Sequence, residues 1–388
     1  MTNVFVLGAG TSAFHGASGA PHPPMADQFF CLPESEALLS DYRELASYLS
    51  LLLGYDTVAR RKLDIEDVFR RAEAPWRFNV HKTDKNVVRL GQSFQYVSPL
   101  DMLHSYVVDL LMLTTSWASE RTCPTHDRLV RSFLHPGDAI ISFNYDLLVD
   151  ASLGSSGQWN ETTGYGFYDP STPQREESTI LLLKPHGSLN WYREKRRQDA
   201  LAGDLPPKEV DSIAVLPILD AARGQTAKVR KDGTVTNSAI NAAKSFKYLD
   251  ESLDDSDLVH LDIKRQFMGK PLGELGYYPL LAMPTPYKSF DELCFGQLAD
   301  VWRQVSTVLS QCERVFACGF SFRDEEFNSL IDQAAMTRET ALPLCIITER
   351  PADKENLLRR FSLPRVQLEH HHGWLADFLA HPAWERLR

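Results

Sequence analysis

The sequence lacks closely spaced cysteine pairs and long apolar runs. Its six cysteines are scattered over 388 residues, and none forms a C-x-x-C pair. This pattern argues against a structural zinc site and against a disulfide framework. No apolar run approaches the roughly 18 residues of a membrane-spanning helix, and no basic leader precedes the short apolar start. We therefore expect a cytoplasmic protein with reduced thiols and no membrane association.

The sequence also lacks a surplus of positive charge. Its 41 basic and 51 acidic residues give a net charge of -10, which opposes sequence-independent attraction to phosphate backbones. Direct nucleic-acid binding is therefore not expected. The 43% of hydrophobic and 24% of charged residues are typical of a globular protein, and the length favours two structural units.

A complete dinucleotide-binding fingerprint is missing as well. The apolar run Val4–Leu7 predicts a buried strand, and the segment GAGTS that follows places Gly8 and Gly10 at a tight turn, where backbone N–H groups can approach a pyrophosphate. However, residue 13 is Ala13 instead of glycine, and no acidic residue about 20 positions later clearly serves the ribose. A plain strand-to-helix turn explains this segment about as well.

The remaining pattern predicts an α/β protein with a Rossmann-like doubly wound parallel sheet and an inserted helical module. Buried strands are expected at 138–142, 179–183, 314–318 and 344–348, with helices at 298–311 and 325–336 between the later ones. Residues 25–119, with helical periods at 36–53, 65–74 and 100–116, form the predicted insertion. The main domain takes residues 1–24 and 120–388, and 194–270 form a long polar connection or lid.

Polar side chains follow two of these strands. Asn144 and Asp146 come directly after the strand at 138–142, and His186 follows the strand at 179–183. An amide and a carboxylate at a sheet's carboxyl edge can orient a ring and a sugar, and a histidine can take a hydroxyl proton near neutral pH. The alternatives are an Asx turn or helix cap for the first pair and a structural hydrogen bond for the histidine.

The last two strands end in further small or polar residues. Gly319 and Ser321 follow the strand at 314–318, and Thr348 and Glu349 end the strand at 344–348. All four can contact a ribose or phosphate, or can be ordinary strand termini. The run His370–His372 lies at a predicted strand-to-loop junction without a companion ligand cluster, so we expect no metal site there.

Taken in order, the segments GAGTS, FNYD, KPHGSLNW, GFSFRD and IITE resemble the sirtuin-like superfamily, in particular its bacterial branch associated with phage defence. The resemblance spans most of the chain. It implies that NAD is bound as a substrate. The roles that it implies are phosphate binding by Gly8, Ala9, Gly10, Thr11 and Ser12, contacts to the nicotinamide riboside by Asn144 and Asp146, ribose-phosphate contacts by Gly319 and Ser321, adenosine-ribose contacts by Thr348 or Glu349, and base catalysis by His186.

The sequence departs from the protein-deacylating sirtuins in two respects. It lacks their four zinc-binding cysteines, so no zinc is expected, and the stretch from Gly16 to His22 lacks the phenylalanine-arginine pair that follows their glycine-proline loop. Water is therefore the expected acceptor, which makes the chain an NAD+ hydrolase. The resemblance further suggests anti-phage defence by NAD depletion, homo-oligomers and a partner such as a HerA-type ATPase. The alternatives are an NAD or ADP-ribose sensor without turnover, and a deacylase or ADP-ribosyltransferase.

Overall fold

The computed structural model describes residues 3–77, 99–119, 122–167, 180–194, 277–282, 296–349 and 365–381, together with the residue pairs 89–90, 93–94 and 214–215. It contains eleven strands in these residues, in chain order β1 (Asn3–Leu7), β2 (Arg89–Leu90), β3 (Ser93–Phe94), β4 (Ala139–Ser142), β5 (Leu181–Leu183), β6 (Gly187–Glu194), β7 (Ala214–Val215), β8 (Tyr277–Leu281), β9 (Arg314–Cys318), β10 (Leu342–Thr348) and β11 (Val366–His372).

The helices of the described residues are mostly short. In chain order they are α1 (Ala9–Ala13), α2 (Pro33–Asp41), α3 (Arg43–Leu53), α4 (Ile65–Arg77), α5 (Pro99–Thr115), a 3-10 helix (Ser116–Ser119), α6 (Pro124–Ser132), α7 (Leu148–Ser156), α8 (Glu161–Gly164), α9 (Gly296–Gln311), α10 (Glu325–Met336) and α11 (Leu375–Ala380).

Six strands form the central sheet, in the order β11-β10-β9-β1-β4-β5, with every adjacent pair parallel. The strands β1, β4 and β9 are almost fully buried, as expected for strands of a parallel sheet that is covered on both faces. In β1, Phe5 pairs in register with Ile140 on one side and Phe316 on the other. The predicted α/β fold with a doubly wound parallel sheet is therefore confirmed.

The edge strand β11 is longer than the sequence pattern indicates. The run His370–His372 forms the last three residues of this strand, next to the loop that follows, and it pairs in parallel register with the end of β10. The sequence VQLEHHH gives no apolar run because an edge strand needs only part of its surface buried. Its burial is intermediate along most of its length, which explains why its strand character is weak in the sequence.

The chain divides into two compact units. The first comprises residues 1–22, 120–188 and 293–388 and holds the six-stranded sheet; the second comprises 23–119 and 189–292. The predicted insertion at 25–119 falls in the second unit, but so do residues 189–292, which we expected in the main domain. The predicted lid at 194–270 lies outside the described residues except for residue 194 and β7.

The second unit contains helices α2 to α5 and two small sheets. The pair β2–β3 is antiparallel, and a three-stranded sheet has the order β7-β6-β8. The single helix expected at 36–53 is interrupted at Tyr42, and the chain forms two helices there, α2 and α3. The Tyr42 hydroxyl donates to Asp109 at 2.8 Å inside the unit, and the backbone at this residue is not helical. A tertiary contact here overrides local helix propensity.

No helix in the described part of the chain is long and apolar enough to cross a membrane. Five cysteines lie in this part, and all are free thiols. Four of them are buried, where they pack as small apolar side chains.

Candidate functional site

The glycine turn after β1 packs directly against the turn after β9. A Cβ atom added at Gly8 would lie 2.4 Å from the carbonyl oxygen of Gly319, and one added at Gly10 would lie 3.0 Å from the Gly319 Cα. Gly319 itself has a φ of +57°. Mutual backbone contact therefore requires these three glycines, and it brings two of the predicted substrate-binding turns together at the carboxyl edge of the sheet.

Asn144 joins the end of β4 to the same glycine turn. Its side-chain amide nitrogen donates to the carbonyl oxygen of Gly8 at 3.0 Å and lies 3.1 Å from the Thr11 hydroxyl and 3.0 Å from the Ser12 hydroxyl. Since a carbonyl oxygen can only accept, the contact with Gly8 fixes which end of the amide is the nitrogen. The structure thus places Asn144, Gly8, Thr11 and Ser12 in one buried polar cluster.

His186 lies in the tight turn between β5 and β6. The N–H of Gly187 donates to the carbonyl oxygen of Lys184 at 2.9 Å, so the segment KPHG forms a β-turn with Pro185 at its second position and His186 at its third. Proline favours the second position of such a turn because its φ is already fixed near the required value. The local sequence therefore holds the backbone of His186 in one conformation.

The partner of His186 is Asp324. The Nε2 atom of His186 and Oδ2 of Asp324 are 2.8 Å apart, and the two side chains are only 9% and 4% exposed. The other carboxylate oxygen of Asp324 accepts from the backbone N–H of Phe327 and thereby caps α10. A carboxylate on Nε2 favours the tautomer with its proton there, in which Nδ1 is the basic nitrogen. This arrangement equips the histidine to accept a proton.

A cluster of aromatic rings packs against His186. The ring of Phe143 packs edge-on against His186 at a centroid distance of 4.8 Å, and it also packs against Phe320 at 4.5 Å and Phe327 at 4.9 Å. Trp302 of α9 lies 6.4 Å from His186. Apolar walls exclude water, and they strengthen the electrostatic interaction between the two polar groups.

The loop that carries Asp324 contains a strained residue. Phe322 has a φ of +55°, a region that bulky side chains rarely adopt, and its side chain is buried. The carbonyl oxygen of Phe322 accepts from the Asn328 side chain at 2.9 Å, which anchors the strained backbone to α10. Strain of this kind persists where surrounding contacts enforce it, and it often occurs at functional sites.

A buried ion pair lies beneath the turn of His186. The Lys184 Nζ donates to Asp150 Oδ2 at 3.0 Å and to the backbone carbonyl oxygen of Asp146 at 2.7 Å, and both charged side chains are fully buried. The Tyr165 hydroxyl donates to Asp150 Oδ1 at 2.6 Å. These contacts tie the end of β5 to α7 and so position the turn that begins at Lys184.

The carboxylate of Asp146 makes the contact expected of an Asx turn. Its Oδ1 accepts from the backbone N–H of Leu148, two residues later, at 3.0 Å. This is the structural alternative that the sequence left open for this residue. Asp146 is buried at the carboxyl end of β4, two residues after Asn144.

The other predicted site residues lie further along the same edge of the sheet. Ser321 follows β9 and is exposed, Thr348 ends β10 and is half-buried, and Glu349 follows it and is exposed. Ala9 is exposed at the start of α1. Strand β9 adjoins β1, and β10 is one strand further on, so these residues extend the candidate site away from His186.

The sequence pattern does not reveal four further residues of the site: Asp324, Asn328, Lys184 and Asp150. Asp324 lies in the segment GFSFRD and Lys184 in KPHGSLNW, but the partner of each is far away in the chain. His186 and Asp324 are separated by 138 residues, and Lys184 and Asp150 by 34. The signal available in the sequence was an aspartate placed just before the helical period of α10, which is typical of an N-cap.

No protein-family model and no curated protein matches the chain. Among solved structures, it is similar to Sir2 in complex with the inhibitor EX-527, 2'-O-acetyl-ADP-ribose and deacetylated p53 peptide, with 10% identity, a TM-score of 0.37 and coverage of 100% of this chain and 94% of that chain. It is also similar to a Sir2 variant with deacetylated p53 peptide and 3'-O-acetyl-ADP-ribose, with 11% identity, a TM-score of 0.38 and coverage of 99% of this chain and 93% of that chain. A third similar structure, described as a structural basis for the mechanism and regulation of Sir2 enzymes, has 12% identity, a TM-score of 0.37 and coverage of 100% of this chain and 93% of that chain.

Proposed function

We propose that the chain is an NAD+ hydrolase that cleaves the bond between nicotinamide and ribose, giving nicotinamide and ADP-ribose. The observation that carries the proposal is the buried contact of His186 with Asp324, at the sheet edge where Asn144 binds the glycine turn. Ligands of open α/β sheets bind outside the carboxyl ends of the strands. The order of the motifs along the chain, which resembles the sirtuin-like pattern, supports NAD as the ligand.

In the proposed reaction, the C–N bond between ribose and nicotinamide breaks and its electron pair goes to the ring nitrogen. The positively charged pyridinium thereby becomes neutral nicotinamide, so the leaving group needs no proton. A water oxygen bonds to the ribose carbon, and its proton passes to His186. The products are ADP-ribose, nicotinamide and one proton, which balances the equation.

Each residue has a proposed role in this reaction. His186 is the base, acting on the water or on a ribose hydroxyl, and Asp324 orients its ring and stabilises the imidazolium that forms. Asn144 and Asp146 hold the nicotinamide riboside end. Gly8, Ala9, Gly10, Thr11 and Ser12 bind the phosphates, Gly319 and Ser321 the ribose-phosphate portion, and Thr348 or Glu349 the adenosine ribose.

The direct test is to incubate the purified chain with NAD and to separate nicotinamide, ADP-ribose and protein-bound ADP-ribose by chromatography. Hydrolysis predicts equal amounts of nicotinamide and free ADP-ribose. ADP-ribose bound to protein would instead identify an ADP-ribosyltransferase. NAD binding without nicotinamide release would identify a sensor, which is the alternative from a different class.

We further propose that the enzyme acts in bacterial defence against phage by depleting NAD, and that an assembly controls it. An unregulated NAD hydrolase would harm its own cell, so a homo-oligomer or a partner such as a HerA-type ATPase is expected to hold or release the activity. Light scattering of the chain alone and with the product of its neighbouring gene tests this. A lone monomer with full activity would contradict it.

A further inference from the structure

Three side chains with metal-binding atoms meet on one face of the sheet. Cys345 lies in β10, and Glu369 and His371 lie in β11. In the parallel register, Cys345 pairs with Glu369 and Ile347 pairs with His371. Since side chains alternate between the faces of a strand, these three residues share one face, whereas His370 and His372 belong to the opposite face.

The ligand atoms of the three residues converge. One sulfur, one carboxylate oxygen and one ring nitrogen all lie within 4.8 Å of one another. A tetrahedral zinc ion with ordinary bond lengths separates its ligand atoms by about 3.5 Å. The movement required is therefore on the order of an ångström, within the reach of rotations about the Glu369 and His371 side chains.

Burial and packing favour a site closed on one side and open on the other. Cys345 is 1% exposed, whereas Glu369 and His371 are half-buried. The ring of His371 packs against Phe378 of α11 at a centroid distance of 5.1 Å, which restricts its orientation. The expectation that His370–His372 has no companion ligands is thus wrong for His371. A water molecule can reach the outer side and complete the coordination.

We propose that Cys345, Glu369 and His371 bind a divalent zinc-like metal ion that ties the edge strand β11 to β10. A thiolate, an imidazole and a carboxylate together suit zinc, which accepts sulfur, nitrogen and oxygen ligands. Burial and the neighbouring Glu369 raise the pKa of the Cys345 thiol to about 12, so the thiol releases its proton when the metal binds. The alternative to metal binding is that Glu369 forms an ion pair with Arg314. Arg314 lies on the same face of the sheet, in β9, and its guanidinium lies over the Phe316 ring.

The proposed metal site is far from His186, the proposed base, although it lies in the same strand as Thr348. Strands β9, β1 and β4 lie between β10 and β5 in the sheet, and His186 follows β5 at the far side. The metal therefore serves the edge of the sheet and takes no part in the chemistry at His186. Its loss is expected to weaken the pairing of β11 rather than to remove a catalytic group.

The test is metal binding by the full chain after treatment with a chelator. Zn2+ or Co2+ is added, excess metal is removed by gel filtration, and the retained metal is measured by mass spectrometry, with the Co2+ absorption spectrum as a second readout. The variants are Cys345→Ser, Glu369→Gln and His371→Ala. The matched control is His372→Ala, which removes the neighbouring exposed histidine on the opposite face.

The wild type and the His372→Ala control are expected to retain one equivalent of metal, with a thiolate-to-cobalt absorption band. His371→Ala and Glu369→Gln are expected to bind it at least tenfold more weakly, and Cys345→Ser to lose the band. The metal is also expected to raise the thermal midpoint of the wild type. Absence of retained metal in the wild type, or equal affinity in His371→Ala, would overturn the proposal. If Cys345→Ser fails to fold, the two half-buried positions still decide the outcome.

Discussion

Replacing Lys184 by methionine is expected to destabilise the turn that carries His186. Lysine and methionine have similar volumes, so the change removes the charge and leaves the Asp150 carboxylate buried without its cation. Breaking a buried ion pair from one side costs about 3–5 kcal/mol. Asp150 keeps the hydrogen bond from Tyr165, so we expect a cost near the lower end, about 3 kcal/mol.

Native-state hydrogen exchange, read by mass spectrometry on peptides that cover β4 and β5, measures this cost locally. A loss of about 3 kcal/mol makes the slow amides there exchange about 10²-fold faster. The double variant Lys184→Met with Asp150→Asn removes the orphaned charge and is expected to recover most of the protection. The matched control is Glu36→Gln, which breaks the exposed pair with Arg60 and is expected to leave exchange in β4 and β5 unchanged.

The positioning role of the Lys184–Asp150 pair would be refuted if Lys184→Met exchanged at the wild-type rate in these peptides. It would equally fail if the double variant were no better protected than the single one. Either result would mean that this ion pair is solvated or replaceable, and that it does not position the turn of His186.

The remaining predictions concern the glycine turn, a buried histidine and a buried thiol. Gly319→Ala is expected to lower the thermal midpoint, measured by calorimetry, more than Gly157→Ala does. Both glycines have a positive φ, but only at residue 319 does the added Cβ lie 2.9 Å from backbone atoms. Burial lowers the pKa of His126 from 6.5 to about 4. As the pH falls below about 6.5, the unfolded chain therefore binds a proton before the folded chain does. The free energy of unfolding falls accordingly, by about 2 kcal/mol at pH 5. His126→Leu is expected to reduce the fall in thermal midpoint between pH 7 and pH 5, and an unchanged fall would contradict the assignment. Burial raises the pKa of Cys123 to about 12, so alkylation mapped by mass spectrometry should leave it unmodified at pH 8 in the folded chain; rapid modification there would show that it is accessible as thiolate.

The central strands were predictable from sequence because a strand buried on both faces is an apolar run. Residues 4–7 and 315–318 are such runs, and both lie in strands, β1 and β9. Edge strand β11 was not predictable in this way, since half-burial permits the polar run His370–His372. The break at Tyr42 was hidden for another reason: it coincides with a tertiary contact, a hydrogen bond from Tyr42 to Asp109, 67 residues away.

The site was predictable as a set of strand ends but not as a set of contacts. Asn144 and His186 follow strands, and a parallel sheet brings its carboxyl ends to one edge. The partner of His186 was missed because Asp324 also fits the simpler role of a helix N-cap, which it performs with its other oxygen. Convergence of Cys345 with His371 depends on strand register, which spacing along the chain does not give.

The most direct test of the central claim compares wild type, His186→Ala and Asp324→Asn in NAD cleavage, with His135→Ala as a control at an exposed histidine. Nicotinamide release and NAD affinity are measured separately, by chromatography and by calorimetry. We expect His186→Ala to lower the rate of release about 10²–10⁴-fold while NAD still binds, Asp324→Asn to lower it less and to shift its pH profile, and the control to match the wild type. Wild-type release by His186→Ala, or binding without any release by the wild type, would contradict the account.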